Sequence, residues 1–224
     1  PRVSHWGEET RVARENITKY PFDLFSAYVY FEWVGEATDS VRRIDTVDHY
    51  ICYYKELLRQ AKKDEVYRFE LTFGKDTTVQ RIPILLANLS RLYGYKGDVS
   101  RKDQKAFEAY KEALKYNPSN EVALNNYAYN LALVDAKQLK RALKMSEKSL
   151  TIDPNNENYL DTYGYILYRL GRYKEAKAVF TKLLSINPRP GATSLLHYSA
   201  LLEALGNKDA AEVYRMKATQ AESE

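Results

Sequence analysis

Residues 159–188 read YLDTYGYILYRLGRYKEAKAVFTKLLSINP. Five tyrosines and two glycines fall between positions 159 and 180, and two readings compete for them. The run could be an aromatic platform that stacks a ligand or a base. It could instead be one copy of a repeat in which most of the rings are core.

Self-similarity separates the two. NNYAYNL at 125–131 aligns with DTYGYIL at 161–167, and Leu150, Ile152 and Pro154 align with Leu184, Ile186 and Pro188. The first match needs an offset of 36 and the second an offset of 34, so the earlier unit carries two extra residues between its helices. Leu160, Tyr163, Gly164 and Leu167 open the clearest unit, followed by Ala176, Phe180 and Pro188. Leu124, Tyr127, Ala128, Leu131, Ala142 and Pro154 mark the unit before it. Leu195, Tyr198, Ser199, Leu202 and Ala211 mark the unit after it, with Gly206 in the place of Gly171. A looser first unit is read from Leu86, Ala87, Gly94, Ala106, Tyr110, Ala113 and Pro118.

The spacing has a physical meaning. Two antiparallel helices approach most closely where both offer a small side chain, expected at Ala87/Ala106, Ala128/Ala142, Gly164/Ala176 and Ser199/Ala211. NPSN, DPNN and NPRP end each second helix, because the residue before proline is pushed out of the helical region. The Asn and Ser residues that follow can cap the next helix.

This pattern resembles the tetratricopeptide repeat (TPR) over about residues 80–219, and its wording is most similar to bacterial members. The resemblance implies an all-α solenoid of antiparallel helix hairpins with an N-terminal helical extension. It implies units of about 80–118, 119–154, 155–188 and 189–219 inside a solenoid spanning 77–219, with 220–224 as a polar tail. It also implies a non-enzymatic scaffold that binds a protein or peptide along a concave face lined by first helices. The ligand-facing positions implied are Asn88 and Arg91, Asn125 and Tyr129, Asp161, Tyr165, Tyr168 and Arg169, and Glu203. Tyr163 is expected between helices, and Tyr159 and Tyr173 at the junctions with neighbouring units. Some members clamp a peptide C-terminus with Lys, Asn and Arg; Asn88 and Asn126 match its asparagines. Ile84, Asn158 and Thr162 stand where its basic residues would be, which argues against chaperone-tail binding. Export to the periplasm or lipid anchoring is favoured over the cytoplasm by the same resemblance, and the chain, opening at Pro1 without Met, reads as a processed form or a fragment.

Residues 1–20 read as an extended arm pinned by Trp6, and 21–76 as a helical region that is either a diverged repeat or a private cap. Two helices are expected there, FDLFSAYVYFEWVG and VRRIDTVDHYICYYKELLRQ, separated by EATDS. Residues 65–84 are ambiguous: Tyr67, Phe69, Leu71 and Phe73 alternate like a strand, while the helical surroundings favour a helix broken at Gly74.

Catalytic chemistry finds no support. Asp45, His49 and Cys52 share a helix face, but a metal site needs further ligands; the expectation is a buried thiol beside an Asp–His surface pair. Phosphate loops, nucleophile elbows and paired catalytic carboxylates do not occur, and no cofactor or metal is expected. NIT at 16–18 and NLS at 88–90 are formal glycosylation sequons, both discounted because the second falls within a helix. No apolar run reaches the ~18 residues of a membrane span.

Residues 1–76 hold 12 Lys/Arg against 14 Asp/Glu, and residues 77–224 hold 22 against 16, giving −2 and +6. A bias of that size fits an acidic protein partner as well as a polyanion. The stripe Lys137, Arg141, Lys144 and Lys148 reads as a solvated outer face. RNA or polyanion binding through the basic half remains one alternative, and service as the recognition module of a larger enzyme or transport complex another.

Overall fold

The computed structural model describes residues 3–20, 27, 30, 40–63, 69–70, 78–79, 81–100 and 104–221. The chain divides into two compact units, residues 1–120 and 121–224.

In the first unit the described elements are α1 (Val3–Lys19), α2 (Ser40–Lys63), β1 (Phe69–Glu70), β2 (Thr78–Val79), α3 (Arg81–Val99) and α4 (Gln104–Tyr116). The arm expected to be extended is therefore a helix. Ala13 and Ile17, one turn apart, are buried and hold α1 by one face; the side chain of Trp6 lies outside the described residues. Of the helix expected over 22–35, Ala27 and Tyr30 are described, helical and buried; Gly35, residues 36–39 of the EATDS break and the rest lie outside, and Ser40 already opens α2. α2 buries Val47, Tyr50, Ile51, Tyr54 and Leu58, a three- and four-residue spacing that forms one apolar stripe.

Within 65–84 the described residues before Arg81 correct the helical preference, while Gly74 lies outside the described residues. Phe69 pairs with Val79 and Glu70 with Thr78 in an antiparallel ladder, so the period-2 alternation was the better guide. The helix that follows begins at Arg81, with Pro83 in its first turn, where a missing N–H interrupts no helical hydrogen bond. Cys52 also departs from expectation: it is exposed, as are Asp45 and His49. It sits one residue past Ile51, about 100° around the helix, and so off the buried stripe.

The second unit is three hairpins: α5 (Glu121–Val134) with α6 (Leu139–Ile152), α7 (Glu157–Arg169) with α8 (Tyr173–Ile186), and α9 (Ala192–Ala204) with α10 (Lys208–Ala221). A 3₁₀ turn, Ala136–Gln138, capped by the Asp135 carboxylate, absorbs the two extra residues between α5 and α6. The other two hairpins turn on glycine. Gly171 and Gly206 have φ of 74° and 81°, a region that costs a side-chain-bearing residue about 1 kcal/mol or more. Arg172 N–H donates to the Leu167 carbonyl, and Asn207 N–H to the Leu202 carbonyl, both at 2.9 Å, closing each helix end. α4, α6 and α8 stop at Tyr116, Ile152 and Ile186, just before their Asn-Pro or Asp-Pro pairs. The Asn156 side chain then accepts from the N–H groups of Asn158 and Tyr159 to start α7.

The closest packing lies at the small residues. A Cβ placed on Gly164 would stand 2.8 Å from Phe180 Cε2, so the bare backbone of α7 makes the seat for that ring. Ser199 Oγ donates to the Ala211 carbonyl at 2.7 Å, and Ala128 and Ala142 are fully buried. In the first unit a Cβ on Gly97 would stand 2.5 Å from Tyr110 Cε1. Gly97, not Ala87, therefore holds the close-approach position of that hairpin; Ala87 is only half-buried and lies ten residues upstream. Around Phe180 gather Leu160, Leu167, Leu183, Tyr198, Leu201 and Leu202.

Two outcomes follow from this packing. Overpacking costs about 1–3 kcal/mol, whereas alanine gains about 1 kcal/mol over glycine in a helix. Gly164→Ala is expected to lower the unfolding free energy by about 1 kcal/mol in urea denaturation. Combined with Phe180→Leu the losses should be less than additive; additive losses would place the strain elsewhere. The second outcome concerns Tyr159, which is buried. Burial first, then the Glu121 and Asp153 carboxylates, push its phenol up to about 12. The unfolded phenol titrates near about 10, so the folded chain holds this proton more tightly. Stability is intact below about pH 10 and falls as pH rises toward about 12. Tyr50 behaves in the same way, pushed up to about 12 by burial and by Tyr30. Tyr159→Phe should flatten, without abolishing, the decline of the urea midpoint across that window; an unchanged decline contradicts the assignment.

Candidate functional site

The first helices α5, α7 and α9 lie side by side in the second unit, and their shared face carries one connected group of side chains. The His197 imidazole on α9 stacks on the Tyr165 ring of α7, with centroids 4.2 Å apart and planes 26° apart. Tyr129 of α5 closes the triangle, 5.8 Å from Tyr165 and 5.9 Å from His197. The spacing follows from the repeat: Tyr129 and Tyr165 hold equivalent positions in successive units, so their rings meet across neighbouring helices.

His197 Nδ1 lies 3.0 Å from both carboxylate oxygens of Asp161. Asp161 is only 7% exposed, and an unpaired buried carboxylate would be costly. A carboxylate only accepts, so Nδ1 carries the hydrogen and Nε2 is left as the ring's second polar atom. The pair thereby fixes both the tautomer and the tilt of the imidazole over Tyr165.

Arg169, at the end of α7, donates from Nη1 to the Ala132 carbonyl of α5 at 2.8 Å and to the Tyr165 hydroxyl at 2.9 Å. Its guanidinium carbon stands 5.7 Å from the Tyr165 ring centre. Tyr168 extends the aromatic row, 6.4 Å from Tyr165 and 5.9 Å from Tyr173. Asp161, Tyr165, Tyr168, Arg169 and Tyr129 are thus brought together.

The remaining expected positions fall elsewhere. Glu203 is exposed and pairs with Arg215 of α10 at 2.9 Å. Asn125 is buried, its amide donating to the Asn126 side chain at 3.1 Å. Asn88 is fully buried against Tyr54 of α2, which removes it from any accessible groove. Burial raises the Tyr54 phenol, with Asn88 acting in the opposite direction. Arg91 is half-buried near the same phenol. Asn88 and Arg91 were both counted from Ala87, and the shift of the crossing to Gly97 explains their displacement. His197 carries no signal in the sequence of its own repeat: it lies two residues before Ser199, between positions that the repeat makes ligand-facing.

The tyrosines of α7 divide by register. Tyr159 is buried. Tyr163 is half-buried and lines a shallow apolar cleft with Leu150, Pro154 and Val179. The stripe Lys137, Arg141, Lys144 and Lys148 is exposed along the 3₁₀ turn and α6, with Arg141 over the Tyr127 ring at 5.3 Å. Among the described residues no group of three or more His, Cys, Asp or Glu is placed to hold a metal ion, and no helix is long and apolar enough to cross a membrane.

No curated protein matches the chain. Solved structures do, at low identity. Two structures of MamA are similar, each with a TM-score of 0.53. One is 18% identical and pairs 81% of this chain with 92% of its own; the other is 16% identical and pairs 89% with 94%. PilF of Pseudomonas aeruginosa is 19% identical over 79% of this chain and 77% of its own, with a TM-score of 0.50. At these identities the likeness speaks for the fold, an all-α solenoid of helix hairpins. A family model described as tetratricopeptide repeat matches residues 34–224, a family whose members typically serve as non-catalytic surfaces for binding proteins. The chain belongs to the tetratricopeptide repeat family.

Proposed function

We propose that the chain is a non-enzymatic scaffold whose first-helix face, centred on Tyr129, Tyr165, Tyr168 and His197, binds an extended segment of a partner protein. The observation that carries this reading is the Tyr165–His197 stack held by Asp161. A histidine ring pinned by a buried carboxylate and stacked on a half-exposed tyrosine is preorganised. Such a surface loses little side-chain entropy when a partner covers it. Tyrosines of this kind, each with an apolar ring and a polar tip, are the residue type that dominates binding energy at protein interfaces. Asn88 is excluded from the binding face, and Glu203 stands at its margin, already paired.

Selection from a display library of random peptides tests the reading. Peptides recovered on the wild type should lose about tenfold or more in affinity on Tyr165→Ala, the ~1.4 kcal/mol or more expected of an aromatic anchor. Fluorescence anisotropy measures the loss, and binding should depend weakly on salt. Recovery of no peptide above background, or peptides indifferent to both Tyr129→Ala and Tyr165→Ala, would contradict it. Retention on heparin with a steep fall in salt would favour a polyanion on the basic stripe instead.

A further inference from the structure

Arg169 is the cation whose surroundings the packing leaves unexplained. The other arginines of α7–α10 for which partners are described meet a carboxylate: Arg172 grips Glu175 through Nε and Nη2 at 2.7 and 2.6 Å, and Arg215 grips Glu212 and Glu203. All three carboxylates are exposed, and such pairs contribute little. Arg169 is half-buried, and no carboxylate among the described residues pairs with it. The nearest acid along its own helix face, Asp161, has both oxygens engaged by His197. Glu203 is turned to Arg215.

The protein spends one nitrogen of this guanidinium and leaves the rest. Both Nη1 hydrogens are used, on the Ala132 carbonyl and the Tyr165 hydroxyl. The Nε hydrogen and one of the two on Nη2 form the side-on edge, the edge that fits a carboxylate with two parallel bonds. The Nη1 contacts tie the group to α5 and α7 together and so fix the direction of that edge. A half-desolvated cation without a counter-ion gains more from an arriving carboxylate than a solvated one would.

We infer that the Nε/Nη2 edge of Arg169 docks a carboxylate of the bound segment, so that the partner is an acidic peptide whose acid lies beside the Tyr129–Tyr165–Tyr168 row. This rests on the binding face proposed above and names its ligand class. The carboxylate is that of a glutamate or aspartate side chain, because Ile84, Asn158 and Thr162 stand where a clamp for a free C-terminus would need basic residues. His197 Nε2, the remaining polar atom of the pinned imidazole, offers the neighbouring contact for the peptide's own polar groups.

The test uses the display library in two forms, one with free C-termini and one with every peptide held internally. Peptides selected on the wild type should be enriched in Asp or Glu at one position in both libraries; selection of a free terminus alone, with no such acid in the internal library, overturns the side-chain assignment. Synthetic peptides then replace that acid by its amide, and each is measured on wild type, Arg169→Gln and Arg169→Lys. On wild type the amide should bind about tenfold to a hundredfold more weakly, the span of a charge-assisted hydrogen bond. On Arg169→Gln acid and amide should bind alike, with Arg169→Lys between, because a single ammonium keeps the charge but not the fork. Equal binding of amide and acid to Arg169→Gln also shows that this variant is folded. Selected peptides that need Tyr165 yet show no acid preference, or an acid preference that survives in Arg169→Gln, overturn the inference and leave the binding face standing. Failure to select any Tyr165-dependent peptide overturns the binding face itself.

Discussion

The structure depends on how closely two helices of a hairpin can approach. Phe180 reaches the backbone of α7 because Gly164 has no side chain, and a Cβ there would stand 2.8 Å from the ring. Tyr110 takes the same seat against Gly97, and the Ser199–Ala211 hydrogen bond marks the corresponding contact in the last hairpin. Once each second helix is seated, the next first helix has a fixed place beside the previous one. Rings one repeat apart, Tyr129 and Tyr165, then meet, and Asp161 comes within hydrogen-bond distance of His197, thirty-six residues later. The surface chemistry of α5, α7 and α9 is therefore a product of the packing within the hairpins beneath it.

The same constraint explains what was legible in the sequence. The run 159–188 could be read because its small residue, its Ala-x3-Phe and its Asn-Pro stop all agree, each for an independent physical reason. Glycines 171 and 206 were placed by type and hold positive φ in the turns. The first hairpin misled because Ala87 and Asn88 match in kind, whereas the crossing is at Gly97. Residue type alone does not report how far α3 continues, and it runs to Val99. Every position counted from Ala87 moved with it, which is why Asn88 lies under Tyr54 rather than on an open face. The N-terminal helix is hard to read because, among its described side chains, Ala13 and Ile17 supply the buried stripe, too short a pattern to outweigh the polar residues around them.

His197 shows a different limit. Positions facing a groove can be counted along one helix, but the partner of a side chain often lies on the next. A carboxylate at 161 and a histidine one repeat later would have been visible as a candidate pair only by reading across repeats. That pair changes the character of the site. Without it, Asp161 would be a buried charge with no partner and Tyr165 one more surface ring. With it, the carboxylate is satisfied by a hydrogen bond inside the fold, and Arg169 keeps an open edge for a ligand.

The central claim is that partners bind where Tyr129, Tyr165, His197 and Arg169 converge. NMR spectra of the side-chain N–H groups of the intact chain, titrated with a display-selected peptide, test it most directly. The account predicts saturable shifts at the His197 imidazole and the Arg169 Nε–H, with the outer residues Lys144 and Lys148 and their neighbours on α6 unmoved. Shifts confined to the Lys137–Lys148 stripe, with His197 and Arg169 unchanged at saturation, would contradict it.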